Sequence, residues 1–285
     1  MHARKLRHFE ERFEWYAAGI EDDPASCRGT WIERHAPGAR EVRLDLGCGK
    51  GSFSAQMAEA NSDVLFVGID NERRCIALAA QKVVEGGIPN LQFCCAEGDD
   101  LTSMFAPGEL GCIYLNFSSP LPRAKHASRR LTHAERLMAY RELLGEDGTV
   151  CFRTDSEPFF EWSLAQFELA GYELSWVSRD ARAERPDDPW TEFEEILVGK
   201  GARICALTAH PGTAPEGPLV QTVPQSLVDY LPEDLESMGY VPFGMEDTVT
   251  NLLNRRAKLA QAAAERQSQD ASSHEGDGSG TVDEG

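Results

Sequence analysis

Between residues 42 and 178 short apolar runs alternate with stretches in which apolar residues recur every three or four positions. The runs are Val42–Leu46, Val64–Asp70, Leu91–Ala96, Cys112–Phe117, Thr149–Arg153 and Leu174–Ser178. Each is continuous rather than alternating, as expected of strands covered on both faces. The stretches between them predict helices over Ser52–Ala60, Glu72–Glu85, His133–Leu144 and Phe159–Ala170. Gly86-Gly87-Ile88-Pro89 stops the second helix, and Pro158 suits the first turn of the last. Such alternation predicts an α/β fold with a mostly parallel, doubly wound sheet. Two further runs, Glu192–Val198 and Arg203–Leu207, have only Gly199–Ala202 between them. They predict an antiparallel hairpin that closes the sheet.

The flanks read differently. Residues 1–40 predict a basic arm bearing Phe9, Phe13, Trp15 and Tyr16, then a loosely structured lead-in; 41–210 is the predicted main domain. Residues 211–267 form an extension, rich in Pro and Gly to about Gly244, then patterned as one amphipathic helix over Met245–Gln267. The final run is complete by Leu207, so a chain cut near His210 is expected to fold. Residues 268–285 are rich in Ser, Gly, Asp and Glu and predict disorder.

Composition narrows the function. The chain has 285 residues, 41% of them hydrophobic, enough for a large core. No apolar run is long enough to span a bilayer, and Met1–Arg7 is followed by Glu10 and Glu11 rather than a signal-peptide stretch. Eight cysteines without a C-x-x-C pair point to reduced thiols in a cytoplasmic protein that holds no metal. The net charge of -19 argues against indiscriminate nucleic-acid binding. Residues 211–285 supply -9 of it, from 13 acidic and 4 basic side chains. Between Pro120 and Leu131 there is no acid at all, against Arg123, Lys125, Arg129 and Arg130, with His126 among them. At the carboxyl end of the fourth run such a strip reads as a phosphate clamp, which Lys5, Arg7 and Arg12 could extend. His126 is equally a phosphate contact or a loop residue.

The first run ends in Asp45-Leu46-Gly47-Cys48-Gly49-Lys50-Gly51. Gly47, Gly49 and Gly51 let the chain turn sharply and let backbone N–H groups approach a ligand. The spacing lacks the last step of G-x-G-x-x-G, so a ligand without a pyrophosphate fits better. Asp45, Asp70 and Glu97 all fall at strand carboxyl ends, where this architecture binds ligands. Asp70 suits a ribose diol, Glu97 an adenine amino group and Asp45 an ammonium. Together they describe S-adenosylmethionine, and the architecture is that of a Rossmann-like class I methyltransferase.

The fourth run continues as Asn116-Phe117-Ser118-Ser119-Pro120-Leu121-Pro122-Arg123, then Lys125-His126 and Arg129-Arg130-Leu131. With Ile88-Pro89-Asn90, Thr154-Asp155 and Thr191-Glu192-Phe193-Glu194, this resembles the bacterial tRNA (guanine-N(7)-)-methyltransferase family from about Leu44 to Leu207. The resemblance implies transfer of methyl from S-adenosylmethionine to ring nitrogen 7 of a guanosine in tRNA. It implies donor contacts at Asp45, Asp70 and Glu97. Substrate contacts fall on Arg123, Asp155, Thr191, Glu192, Phe193 and Glu194, and RNA contacts on Lys125, His126, Arg129 and Arg130. Ser119 stands where the family has its catalytic Asp, and Leu121 where it has Trp. Two other readings follow: a relative that binds RNA or donor without turnover, and a small-molecule methyltransferase. Oligomeric state is not legible.

Overall fold

The computed structural model describes residues 9–275. Lys5 and Arg7, and the last ten residues of the expected tail, lie outside the described residues. α1 (Phe9–Trp15) and α2 (Trp31–His35) precede β1 (Val42–Leu46) and α3 (Ser52–Ala60). There follow β2 (Leu65–Asp70), α4 (Arg73–Gly86), β3 (Leu91–Cys95), α5 (Leu101–Met104), β4 (Leu110–Asn116) and α6 (Ala134–Leu143). The chain continues through β5 (Leu144–Thr154), α7 (Glu157–Leu169), β6 (Tyr172–Ser178), α8 (Ala181–Glu184), α9 (Glu192–Val198), β7 (Cys205–Pro211) and α10 (Glu246–Glu275).

The strands form one sheet in the order β3-β2-β1-β4-β5-β7-β6. The first five are parallel, and β1 lies between β2 and β4 at the point where the winding reverses. A ligand crevice is expected at that point, outside the carboxyl ends. β7 runs antiparallel between β5 and β6.

The antiparallel closure is therefore present, but its partners differ from the hairpin expected at Glu192–Val198. β7 pairs with β6, Tyr172 opposite Pro211 and Ser178 opposite Ala206. Residues 192–198 are helical for local reasons. Thr191 caps the helix, its Oγ1 accepting from the Glu194 N–H at 2.8 Å. Glu192, Glu194 and Glu195 place negative charge in the first turn. Phe193, Ile196 and Leu197 have the i, i+3, i+4 spacing of a helix face.

The flanks also pack more tightly than their composition suggests. The lead-in buries Trp31 completely, with Nε1 donating to the Met104 carbonyl at 2.9 Å and the indole stacked on Phe105. Residues 212–245 carry only a short 3-10 turn, Leu227–Tyr230, yet Leu227 and Met245 belong to the main core with Phe159 and Trp162. That turn packs on α7. Packing thus runs without a break across the boundary expected near residue 210. α10 continues through Glu275, past the expected start of the disordered tail. Gln267–Glu275 contains no Gly or Pro, and the first helix breaker is Gly276.

All eight cysteines are free. Among the described residues no helix is long and apolar enough to cross a membrane.

Candidate active site

The β1–α3 turn is built from glycine where the backbone needs it. Gly47, Gly49 and Gly51 have φ of 81°, 55° and 72°, and a Cβ on Gly51 would lie 2.4 Å from the Phe93 ring. The Gly47 and Cys48 N–H groups donate to the Ile69 carbonyl at 2.8 and 3.0 Å, tying the turn to β2. Asp70 ties it again: Oδ2 accepts from the Gly49 N–H at 2.9 Å and Oδ1 from the Glu72 N–H at 2.8 Å. Each of those oxygens keeps acceptor capacity for a ligand hydroxyl. Glu97 accepts from Asn71 Nδ2 at 3.2 Å beside it.

Asp45 is buried at the end of β1. Its Oδ2 accepts from Ser54 Oγ at 2.6 Å, whereas Oδ1 has no partner. Asn116 Nδ2, at the end of β4, and Ser118 Oγ are likewise buried and unpartnered. Burial pushes the Asp45 carboxyl up to about 6, the Ser54 hydrogen bond and then the neighbouring Asn116 amide opposing it. A cavity of about 280 Å³ opens here, lined by Asp45, Gly47, Asn116, Phe117, Glu192 and Phe193 among others. A second, of about 390 Å³, is lined by Asp70, Glu97, Ser119, Arg129 and Arg136. Gly47 and Phe117 line both. The three carboxylates picked out in the sequence thus meet one cleft.

The loop after β4 is strained. Phe117 and Leu121 have φ of 51° and 46°, rare for residues with side chains, and they bracket Ser118-Ser119-Pro120. Arg130 holds the loop in place. Its Nε donates to the Pro120 carbonyl at 2.9 Å, its Nη2 to the Leu121 and Gln225 carbonyls at 2.9 Å, and its guanidinium lies 4.3 Å over Trp162. At 1% exposure Arg130 cannot contact RNA, contrary to the expectation from the strip. Burial lowers its pKa to about 10, so it stays charged. The outward cations are Arg123, Lys125 and Arg129, and Ser119 is exposed in the second cavity. His126 is half-buried, its pKa lowered by desolvation and by Lys125 and Arg129. Arg12 is turned to α4, donating to Gln81 Oε1 at 2.9 Å.

The remaining expected substrate contacts divide. Glu192 and Phe193 line the first cavity. Glu192 accepts from Ser52 Oγ at 2.6 Å and stands near Lys82 and Lys50, at 3.5 and 3.8 Å. The Ser52 bond first, then the lysines, hold its carboxyl below the usual range. Thr191 lines the cavity but spends its hydroxyl on the helix cap. Glu194 points away, fully buried against Arg182 Nε at 2.5 Å, and is a packing charge rather than a substrate contact. Asp155 is taken up by the extension: its Oδ2 accepts from Tyr240 Oη at 2.6 Å and from the Phe243 N–H at 2.8 Å. Burial holds its pKa above the ordinary value despite these bonds. Sequence reasoning missed Asn116, although a polar residue ending an apolar run was a usable signal. It also missed Tyr240 and Phe243, which no local pattern marks.

Residues 39–207 match a family model described as "Putative methyltransferase". A tRNA (guanine-N(7)-)-methyltransferase of Geobacillus thermodenitrificans (strain NG80-2) is 36% identical over 205 residues, 72% of this chain and 94% of that protein. One of Streptococcus suis (strain 05ZYH33) is 37% identical over 191 residues, 67% of this chain and 90% of that protein. Among solved structures, the 16S rRNA methyltransferase KamB covers 65% of this chain and 93% of its own, at 19% identity and a TM-score of 0.49.

Proposed function

The chain belongs to the tRNA (guanine-N(7)-)-methyltransferase family, and on that premise we propose how its cleft works. It is an S-adenosylmethionine-dependent enzyme that methylates ring nitrogen 7 of a guanosine in tRNA. The observation that carries the donor assignment is the buried Asp45 Oδ1 at the first cavity, which no well-formed hydrogen bond satisfies, with the Asn116 amide beside it equally short of one. A buried polar atom without a partner costs about 1–3 kcal/mol, and a zwitterionic amino-acid group satisfies both at once. Asp70 then accepts from the ribose diol, Glu97 from the adenine amino group, and the Gly47–Gly51 turn lets the ligand lie close. Bound there, S-adenosylmethionine supplies a methyl group on a sulfonium, which leaves as a neutral thioether.

Nitrogen 7 carries a lone pair and no proton, so the chain need not remove one. Holding the two centres in line is the main task, and such positioning can supply about 7–11 kcal/mol. The methylated base is a cation. Glu192, kept ionised by Ser52 and two lysines at the rim of the first cavity, meets that developing charge. Ser119, at the second cavity, offers only a hydroxyl. Arg123, Lys125 and Arg129 face outward to meet phosphates, and we place the reaction in the cytoplasm. The test is incubation with labelled donor and unmodified bulk tRNA, followed by nucleoside analysis. Label in 7-methylguanosine is expected. Donor binding with no labelled nucleoside would instead select the non-catalytic relative.

A further inference from the structure

The family match ends at residue 207, yet the chain beyond it converges on the acceptor side of the cleft. The Leu227 N–H donates to the Pro122 carbonyl at 2.9 Å, and the Gln225 carbonyl accepts from the arginine that clamps the loop after β4. A side chain at Gly244 would meet Pro120 at 3.2 Å, so extension and loop are in contact there too. Asp155 anchors the same segment through Tyr240 and Phe243. That anchor sets the Phe243 ring edge-on to Phe193, centroids 4.8 Å apart. Phe193 in turn meets Phe117 edge-on at 6.0 Å, and both line the first cavity. Phe243 is outside that lining, one ring behind it.

We propose that residues 225–245 are part of the acceptor side of the active site, with Phe243 a positioning residue that acts through Phe193. The inference rests on the reading of the cleft given above. Phe117 is one of the two non-glycine residues, among those described, held in the left-handed region, a strained backbone that persists only while its surroundings fix it. Phe193 sits on α9, two turns long, and Phe243 packs edge-on against its ring. Truncating Phe243 lets both rings move, and a shift of about 1 Å at a reacting centre can cost on the order of a hundredfold in rate.

The test uses the full chain, as Phe243→Ala and Phe243→Leu. Amide hydrogen exchange at residues 117–122 and 191–198 reads positioning whether or not tRNA is turned over; donor binding and tRNA turnover read the consequence. For Phe243→Ala we expect exchange at those two segments to rise and kcat on tRNA to fall, each about tenfold or more. The donor dissociation constant should stay within about twofold, since Asp45, Asp70 and Glu97 are untouched. Phe243→Leu should recover most of the rate. Unchanged exchange at both segments, unchanged kcat, or faster exchange spread evenly through the sheet would each overturn the proposal. A wild-type chain that leaves tRNA unmethylated, while exchange still rises in Phe243→Ala, sinks the tRNA reading and supports the positioning.

Discussion

Asp70 reaches its two backbone partners, Gly49 and Glu72, across 21 and 2 residues of chain, whereas Glu192 reaches Ser52 across 140 and Asp155 reaches Tyr240 across 85. The donor half of the cleft is assembled from strand ends and the turns that leave them. The half we assign to the acceptor draws on four segments that meet only in the folded chain: the loop after β4, α9, the end of β5 and the extension. The first half comes with the sheet. The second depends on contacts between segments distant in the chain.

The sharpest way to break this contrast is Arg130→Ala. It leaves three carbonyls without a donor and opens a space over Trp162, so unfolding free energy should drop by about 3 kcal/mol or more in denaturant titration. Arg129→Ala, one residue away and exposed, should change stability by no more than about 0.5 kcal/mol. Equal losses in the two variants would mean the loop does not hang on Arg130.

On the donor side, Asp70→Asn should weaken S-adenosylmethionine binding by about 2 kcal/mol, roughly thirtyfold, with tRNA affinity unchanged. Equilibrium dialysis settles it, and unchanged donor affinity would remove Asp70 from the site.

A smaller effect links the donor to pH. The folded pKa of Asp45 is raised to about 6 from 3.8, so the folded chain holds this proton where the unfolded chain has released it. Its share of stability is therefore present at low pH and lost as pH rises from about 4 to about 6. An ammonium needs the ionised form, so donor affinity should climb through the same window and level off above it. Calorimetry near pH 5.5 in two buffers of different ionisation heat should show proton release on binding. Asp45→Asn should show none.

The smallest expected change is at the exposed cations. Lys125→Ala should cut tRNA affinity about threefold at moderate salt and flatten the salt slope by about one unit. A slope that does not move would place the phosphates elsewhere.

Strand ends were legible because short apolar runs with glycine stops define them, and so was the position of Asp45, Asp70 and Glu97 at those ends. Helical phase was not. Read as a strand, Glu192 and Glu194 share a face; in a helix they stand about 200° apart, and one lies at the cavity rim while the other is buried beside Arg182. Arg129 and Arg130 separate in the same way, since a basic pair looks alike in sequence whichever member turns inward. The stretch up to about Gly244 was read as a Pro- and Gly-rich extension outside the main domain, yet Leu227 is an apolar anchor that no periodicity marks, and Met245, read as the start of the amphipathic helix, packs in the same core. Only a tertiary partner reveals what they do.

That late anchoring carries a consequence in time. Ala209 finishes the last strand's core contacts, and Met245 follows 36 residues later. At about 5–20 residues per second, a ribosome takes roughly 2–7 seconds to make that interval. During it the sheet is complete, while the apolar bed over α7 and the loop after β4 wait first for Gln225 and Leu227 and then for Met245. A nascent chain stalled there presents a finished donor half beside uncovered hydrophobic surface, a state for chaperones to shelter and for proteases to find.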